Sequence, residues 1–170
     1  MGKMVYAAGG SRKTPPDVLL LMRRVAGRLA QRGLLLRTGG AEGADRAAQE
    51  GVLSQGGKVE LYLPWPGFGG IKGVLERPRS EAYRIAQAYH SAWERLSPGV
   101  RALMARNVHV LLGADLGDPA AFFLCWTPGG EVVGGTGHAI RVASAHGIPV
   151  VNLAHGRRSL EEIANLLEGK

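Results

Sequence analysis

The sequence predicts a three-layer α/β domain built around a mostly parallel sheet, and three observations predict it. Short apolar runs alternate with segments of helical periodicity. Three of those runs open into glycine-rich loops, the pattern of strand ends in a doubly wound sheet. The length, 170 residues with 45% hydrophobic content, suits one well-buried core and is too short for two. Right-handed crossovers between successive units give an expected central order of 3-2-1-4-5 within one domain spanning 1–170.

The elements follow in order. Met4 to Ala8 reads as a buried strand that opens into Gly9-Gly10-Ser11-Arg12. Thr14 is placed to cap the next helix, with Pro15 at its first position and Asp17 in its first turn. Val18, Met22, Val25 and Leu29 recur at helical spacing and should face the sheet, and Gly33 ends that helix. The second strand is Leu34 to Arg37. It leads through Thr38-Gly39-Gly40-Ala41-Glu42-Gly43 into a helix whose Ala44, Ala47, Ala48 and Val52 form a close-packing face, stopped by Gly56-Gly57.

Lys58 to Leu63 is the third strand. The stretch 64–79, rich in Gly and Pro with Trp65 and Phe68, reads as an ordered loop, either a lid or a plain structural connection. Ser80 to Leu96 is predicted helical, and Pro98 opens another helix to about Arg106. Val108 to Leu112 fits either a strand or a continued helix. Ala120 to Trp126 is the fourth strand, His138 to His146 a helix, and Ile148 to Leu153 the fifth strand. Ser159 is predicted to cap a last helix with Glu161 and Glu162 in its first turn.

Composition narrows the function. No apolar run approaches the length of a membrane span, and residues 1–10 lack a secretory core. The single cysteine, Cys125, excludes an intrachain disulfide and fits a reducing compartment, so a cytoplasmic location is expected. The net charge of +7 suits nucleic acid, an anionic ligand or an acidic partner without choosing among them.

The repeated glycine loops carry the functional reading. Glycine lets backbone N–H groups approach an anion, and a following helix adds its positive end. Gly10, Ser11 and Arg12 offer a turn, a hydroxyl and a guanidinium for phosphate. Thr38, Gly39, Gly40 and Gly43 present amides ahead of a helix. Asp45 there suits a ribose hydroxyl, a base N–H or a bridging cation, or simply the helix dipole. Gly134, Gly135, Thr136 and Gly137 repeat the arrangement, with Thr136 either donating to phosphate or capping its helix. No loop matches G-x-G-x-x-G or G-x-x-x-x-G-K-[ST], which disfavours a conventional dinucleotide oxidoreductase or ATPase.

Other chemistry is sparse. The five histidines form no metal-binding pattern, so neither a metal nor a redox cofactor is indicated. His138 either contacts a phosphate or acts in proton transfer, or it is a helix-surface or packing histidine. Arg24, Arg28 and Arg32 share a helix stripe that either meets nucleic-acid phosphate or is an ordinary solvated face. Trp65, Phe68, Tyr83, Tyr89 and Trp93 offer a stacking surface or a dimer contact.

Taken together, Gly10-Ser11-Arg12, Thr38 to Asp45, Arg106-Asn107 and Gly134-Gly135-Thr136 resemble a Rossmann-like nucleotide-binding superfamily. It includes the DNA-processing protein A mediators, the cytokinin-activating LOG and lysine-decarboxylase-like families, and small bacterial or phage-encoded relatives. The resemblance implies a Rossmann-like fold, a homodimer, and a nucleotide-like ligand at these loops. The cytokinin-activating enzymes carry a glutamate after their Gly-Thr turn, where this chain has His138, Ala139, Ile140 and Arg141. The expected role is therefore a nucleotide sensor or carrier. The alternatives are a phosphoribohydrolase-like N-glycosidase, with Asp45, Glu42 or Glu131 as its carboxylate, and a DNA-binding accessory module.

Overall fold

The computed structural model describes residues 3–169; Met1, Gly2 and Lys170, the ends of the expected 1–170 domain, lie outside the described residues. Five strands form one parallel sheet: β1 (Val5–Ala8), β2 (Leu35–Thr38), β3 (Val59–Leu61), β4 (Phe123–Cys125) and β5 (Val150–Asn152). Their order is β3-β2-β1-β4-β5, as expected for a doubly wound sheet. The register sets Tyr6 beside Leu36, Ala7 beside Phe123, and Leu124 beside Val151.

Strand alternation divides the apolar side chains between two cores. Tyr6, Ala8, Leu36, Phe122 and Leu124 face α1 (Pro16–Gln31), α2 (Ala44–Ser54) and α6 (Arg157–Leu167). Ala7, Phe123 and Cys125 face α3 (Ser80–Ala88), α4 (Pro98–Leu112) and α5 (Gly134–Ala145). The sheet is thus covered on both sides, which explains why its strands read as continuous apolar runs.

The close-packing face expected on α2 is buried: Ala44, Ala47, Ala48 and Val52 sit in the first core. A Cβ added at Gly27 of α1 would lie 3.3 Å from the Gly51 carbonyl of α2, so the two helices meet through small residues.

Several boundaries depart from expectation. Thr14 does not cap α1: its hydroxyl donates to the Ser11 carbonyl, and Pro15 is the cap residue with Pro16 leading the helix. The Ser80–Leu96 helix stops at Ala88 and is followed by a short turn, Trp93–Arg95. Val108 to Leu112 is helical, since α4 runs unbroken from a cap where Ser97 Oγ accepts from the Val100 N–H at 3.2 Å. Helix α5 begins at Gly134, four residues before the predicted start. Helix α6 begins at Arg157, and Ser159 lies inside it, buried, with its hydroxyl donated to the Gly156 carbonyl. The misses at Thr14 and Ser159 share one cause: a polar residue suited to capping found a nearby carbonyl to bond instead.

Candidate ligand-binding site at the carboxyl edge

All five strands end at the same edge because all are parallel, and the glycine loops follow three of them. The first two loops touch. Atoms of Ser11 and Arg12 lie 3.6 and 3.7 Å from where a Cβ of Gly43 would stand. Ser11 N–H donates to the Trp126 carbonyl at 3.3 Å and Gly9 N–H to the Leu124 carbonyl at 3.0 Å, which fastens the first loop to the end of β4. Gly10 has no room for a side chain, since an added Cβ would lie 2.7 Å from the Ala44 Cβ.

Beneath these loops lies a buried polar layer. Arg106, 4% exposed, reaches from α4 to donate to the carbonyls of Gly39 at 2.8 Å and Tyr62 at 3.3 Å, and its Nε to Asn107 Oδ1 at 2.9 Å. A Cβ at Gly39 would collide with that guanidinium, so glycine is required by close approach. Asp45, also buried, accepts from the Ala41 N–H at 3.2 Å. Burial pushes its carboxyl pKa up, opposed by the Arg106 charge and the amides of Ala41 and Gly39. Burial pushes the Arg106 pKa down, opposed by Asp45.

The remaining predicted residues are placed as follows. Arg12 is exposed and Ser11 half-buried, with Ser11 Oγ accepting from the Lys13 N–H at 3.0 Å. Thr38 is fully buried, its hydroxyl donating to the Ala8 carbonyl at 2.8 Å and so tying β2 to β1. Gly40 lies under Ile71, whose Cδ1 is 2.5 Å from an added Cβ. Gly134 and Gly135 are exposed, with no atom within 4 Å of an added Cβ, while Gly137 is packed against the Val132 backbone. Thr136 sits in the first turn of α5 and does not cap it; Val133 is the cap residue and no side chain bonds there. This third loop follows β4, the strand paired with β1.

His138 turns away from the edge. It is fully buried, and its Nε2 donates to the Ala86 carbonyl at 2.8 Å, leaving Nδ1 without a protein partner. Burial lowers its pKa, so the ring is held neutral. Cys125 is buried as well, its thiol pushed up to about 12 by burial.

Sequence reasoning missed two features of this edge. Asn152 Nδ2 donates to Thr127 Oγ1 at 2.7 Å, a buried bond joining the ends of β4 and β5. Phe68, in the turn Phe68–Gly70, lays its ring 5.5 Å from the Arg106 guanidinium. Neither has a local signature, because each partner lies far along the chain. The aromatic cluster proposed for a dimer is largely internal: Trp93 is buried, and Tyr83 and Tyr89 pack against the same core.

A separate open cleft of about 310 Å³ lies away from the glycine loops, lined by Arg37, Glu60, Tyr62, Val74, Arg79 and Asp118 among others. Its buried arginine is spoken for: Arg37 donates to the Asp118 carbonyl at 2.7 Å and carboxylate at 2.5 Å, with Glu60 at 3.4 Å. Among the described residues no cluster of metal-ligating side chains occurs, and no helix is long and apolar enough to cross a membrane.

No protein-family model matches the chain, and no curated protein matches it in sequence. Solved structures do match in shape. DNA processing protein A from Helicobacter pylori, described for its single-stranded DNA binding mode, superposes with a TM-score of 0.59 at 19% identity, covering 88% of this chain and 64% of that one. The molybdenum cofactor carrier protein of Chlamydomonas reinhardtii gives TM-scores of 0.55 and 0.52 in two structures, at 18% and 19% identity. Those matches cover 98% and 99% of this chain, and 87% and 86% of the carrier. The chain has the Rossmann-like fold of these proteins. At such identities the likeness is one of fold, and this chain spans 64% of the Helicobacter protein's length.

Proposed function

We propose that this chain binds a phosphate-bearing nucleotide or nucleotide derivative at the carboxyl edge and senses or carries it without efficient cleavage. The contact between the first two glycine loops, above the buried Asp45 and Arg106 layer, carries the reading. The start of α2 stands at that contact, and the N–H groups of its first turn are the donors offered to an anion. Gly134, Gly135 and Thr136 add a second helix start, and exposed Arg12 adds a positive charge.

Cleavage of an N-glycosidic bond needs a carboxylate or equivalent at the reacting centre. The first turn of α5 holds none, and Asp45 is buried with its oxygen on the Ala41 N–H. Glu42 and Glu131 are exposed. Carriage also has a precedent in this fold, since one neighbour is a cofactor carrier. That comparison supports a role, and the ligand here is defined by its phosphate and sugar chemistry.

The test is a native-mass and thermal-shift screen against nucleoside monophosphates and sugar phosphates, with chromatography for free base. Binding is expected to raise Tm, to be lost in Arg12→Ala and Gly135→Val, and to leave the nucleotide intact. Turnover abolished by Asp45→Asn or Glu131→Gln would replace this reading with the hydrolase.

One observation favours a second reading. Arg24, Arg28 and Arg32 are all exposed on α1 and take part in none of the ion pairs among the described residues. Binding of short DNA with a salt slope, and of no nucleotide, would give that reading the lead. The proposed homodimer now rests on the superfamily resemblance, without the internal aromatics. A monomer mass by light scattering throughout the micromolar range would reject it.

A further inference from the structure

The loop after β3 stands at the same edge as the glycine loops and places aromatic rings beside them. Trp65 and Phe68 meet edge to face, with centroids 5.4 Å apart at 79°. Phe68 is half-buried and lies over Arg106, the residue that grips the Gly39 carbonyl. Ile71, three residues on, covers Gly40. Ile71 therefore meets the second glycine loop directly, and Phe68 meets it through Arg106. Trp65 is left 41% exposed, with its Cζ3 3.9 Å from where a Cβ of Gly99 in α4 would stand.

We infer that Trp65, buttressed by Phe68, is the stacking wall for a planar aromatic base. The ligand would then run across the edge, with phosphate at the β1 and α2 loops and base at the β3 side. This rests on the proposed nucleotide site and adds that the base, as well as the phosphate, is recognised. An indole face accepts any base without hydrogen-bond readout, so Trp65 supplies affinity for aromatic rings and little choice among them.

The experiment compares adenosine and guanosine monophosphates with ribose 5-phosphate by calorimetry, in the wild type, Trp65→Ala, Trp65→Phe and Phe68→Leu. Circular dichroism checks that each is folded. Wild-type protein should bind the nucleotides roughly tenfold or more tightly than ribose 5-phosphate. Trp65→Ala should erase most of that margin while leaving ribose 5-phosphate affinity unchanged. Trp65→Phe should keep most of the margin, and Phe68→Leu should narrow it. A margin that survives in Trp65→Ala, or equal weakening of both ligand types, overturns the stacking wall while leaving the phosphate site standing. Binding of neither ligand type by wild-type protein overturns the site itself.

Discussion

Replacing Arg106 with methionine tests the buried layer that underlies the site. Methionine keeps much of the stem's packing and removes the guanidinium. The carbonyls of Gly39 and Tyr62 then lose donors, and an unsatisfied buried polar group costs about 1–3 kcal/mol. Asn107 is half-buried, so water can replace its bond. Asp45 also loses the positive charge that opposes its desolvation. The expected loss is about 3 kcal/mol at pH 7, read by urea unfolding.

Two controls sharpen the test. In an Asp45→Asn background no carboxylate remains to be stranded, so the cost should shrink by about 1 kcal/mol. Acid should have the same effect. The folded Asp45 pKa lies above its unfolded value, so the native state holds the proton at pH values where the unfolded chain has released it. Its charge is therefore a destabilising influence that fades as pH falls into that window, and the cost of Arg106→Met should fall with it. A cost under about 1 kcal/mol, or one identical in both backgrounds, would refute the view that Arg106 holds this layer together.

Two further outcomes follow from buried groups outside the site. The Tyr6 hydroxyl is buried without a partner while its ring stacks on Phe122 at 5.2 Å, so Tyr6→Phe should be neutral or stabilising by up to about 1 kcal/mol in urea unfolding; a clear loss would reveal a missed partner. Burial lowers the pKa of both His138 and His109, so between pH 6.5 and their folded values the unfolded chain binds protons that the native state refuses. Stability should be full above that window and fall as pH drops through it, by at most about 1.4 kcal/mol per pH unit for each ring. His138→Gln should flatten the Tm profile between pH 7 and 5, and an unchanged slope would contradict the buried neutral ring.

The sequence by itself determined the α/β class, the strand order and the positions of the glycine loops. Those follow from apolar runs buried on both faces, helical spacing in α1 and α2, and glycine-rich strand ends of the doubly wound kind. The residues around Gly10 and Gly39 were legible too, because a glycine run after a strand marks a tight approach whatever it approaches. What Gly39 approaches was decided only by the tertiary structure. The Arg106 guanidinium arrives from a helix 67 positions along the chain, and no spacing rule encodes that distance. The same holds for Phe68 over Arg106, for Asn152 on Thr127, and for the inward turn of His138 toward Ala86. Helix starts were misread wherever Thr14 and Ser159 had a choice between a cap and a neighbouring carbonyl. That choice depends on where the neighbouring backbone is placed, which packing sets and local sequence does not.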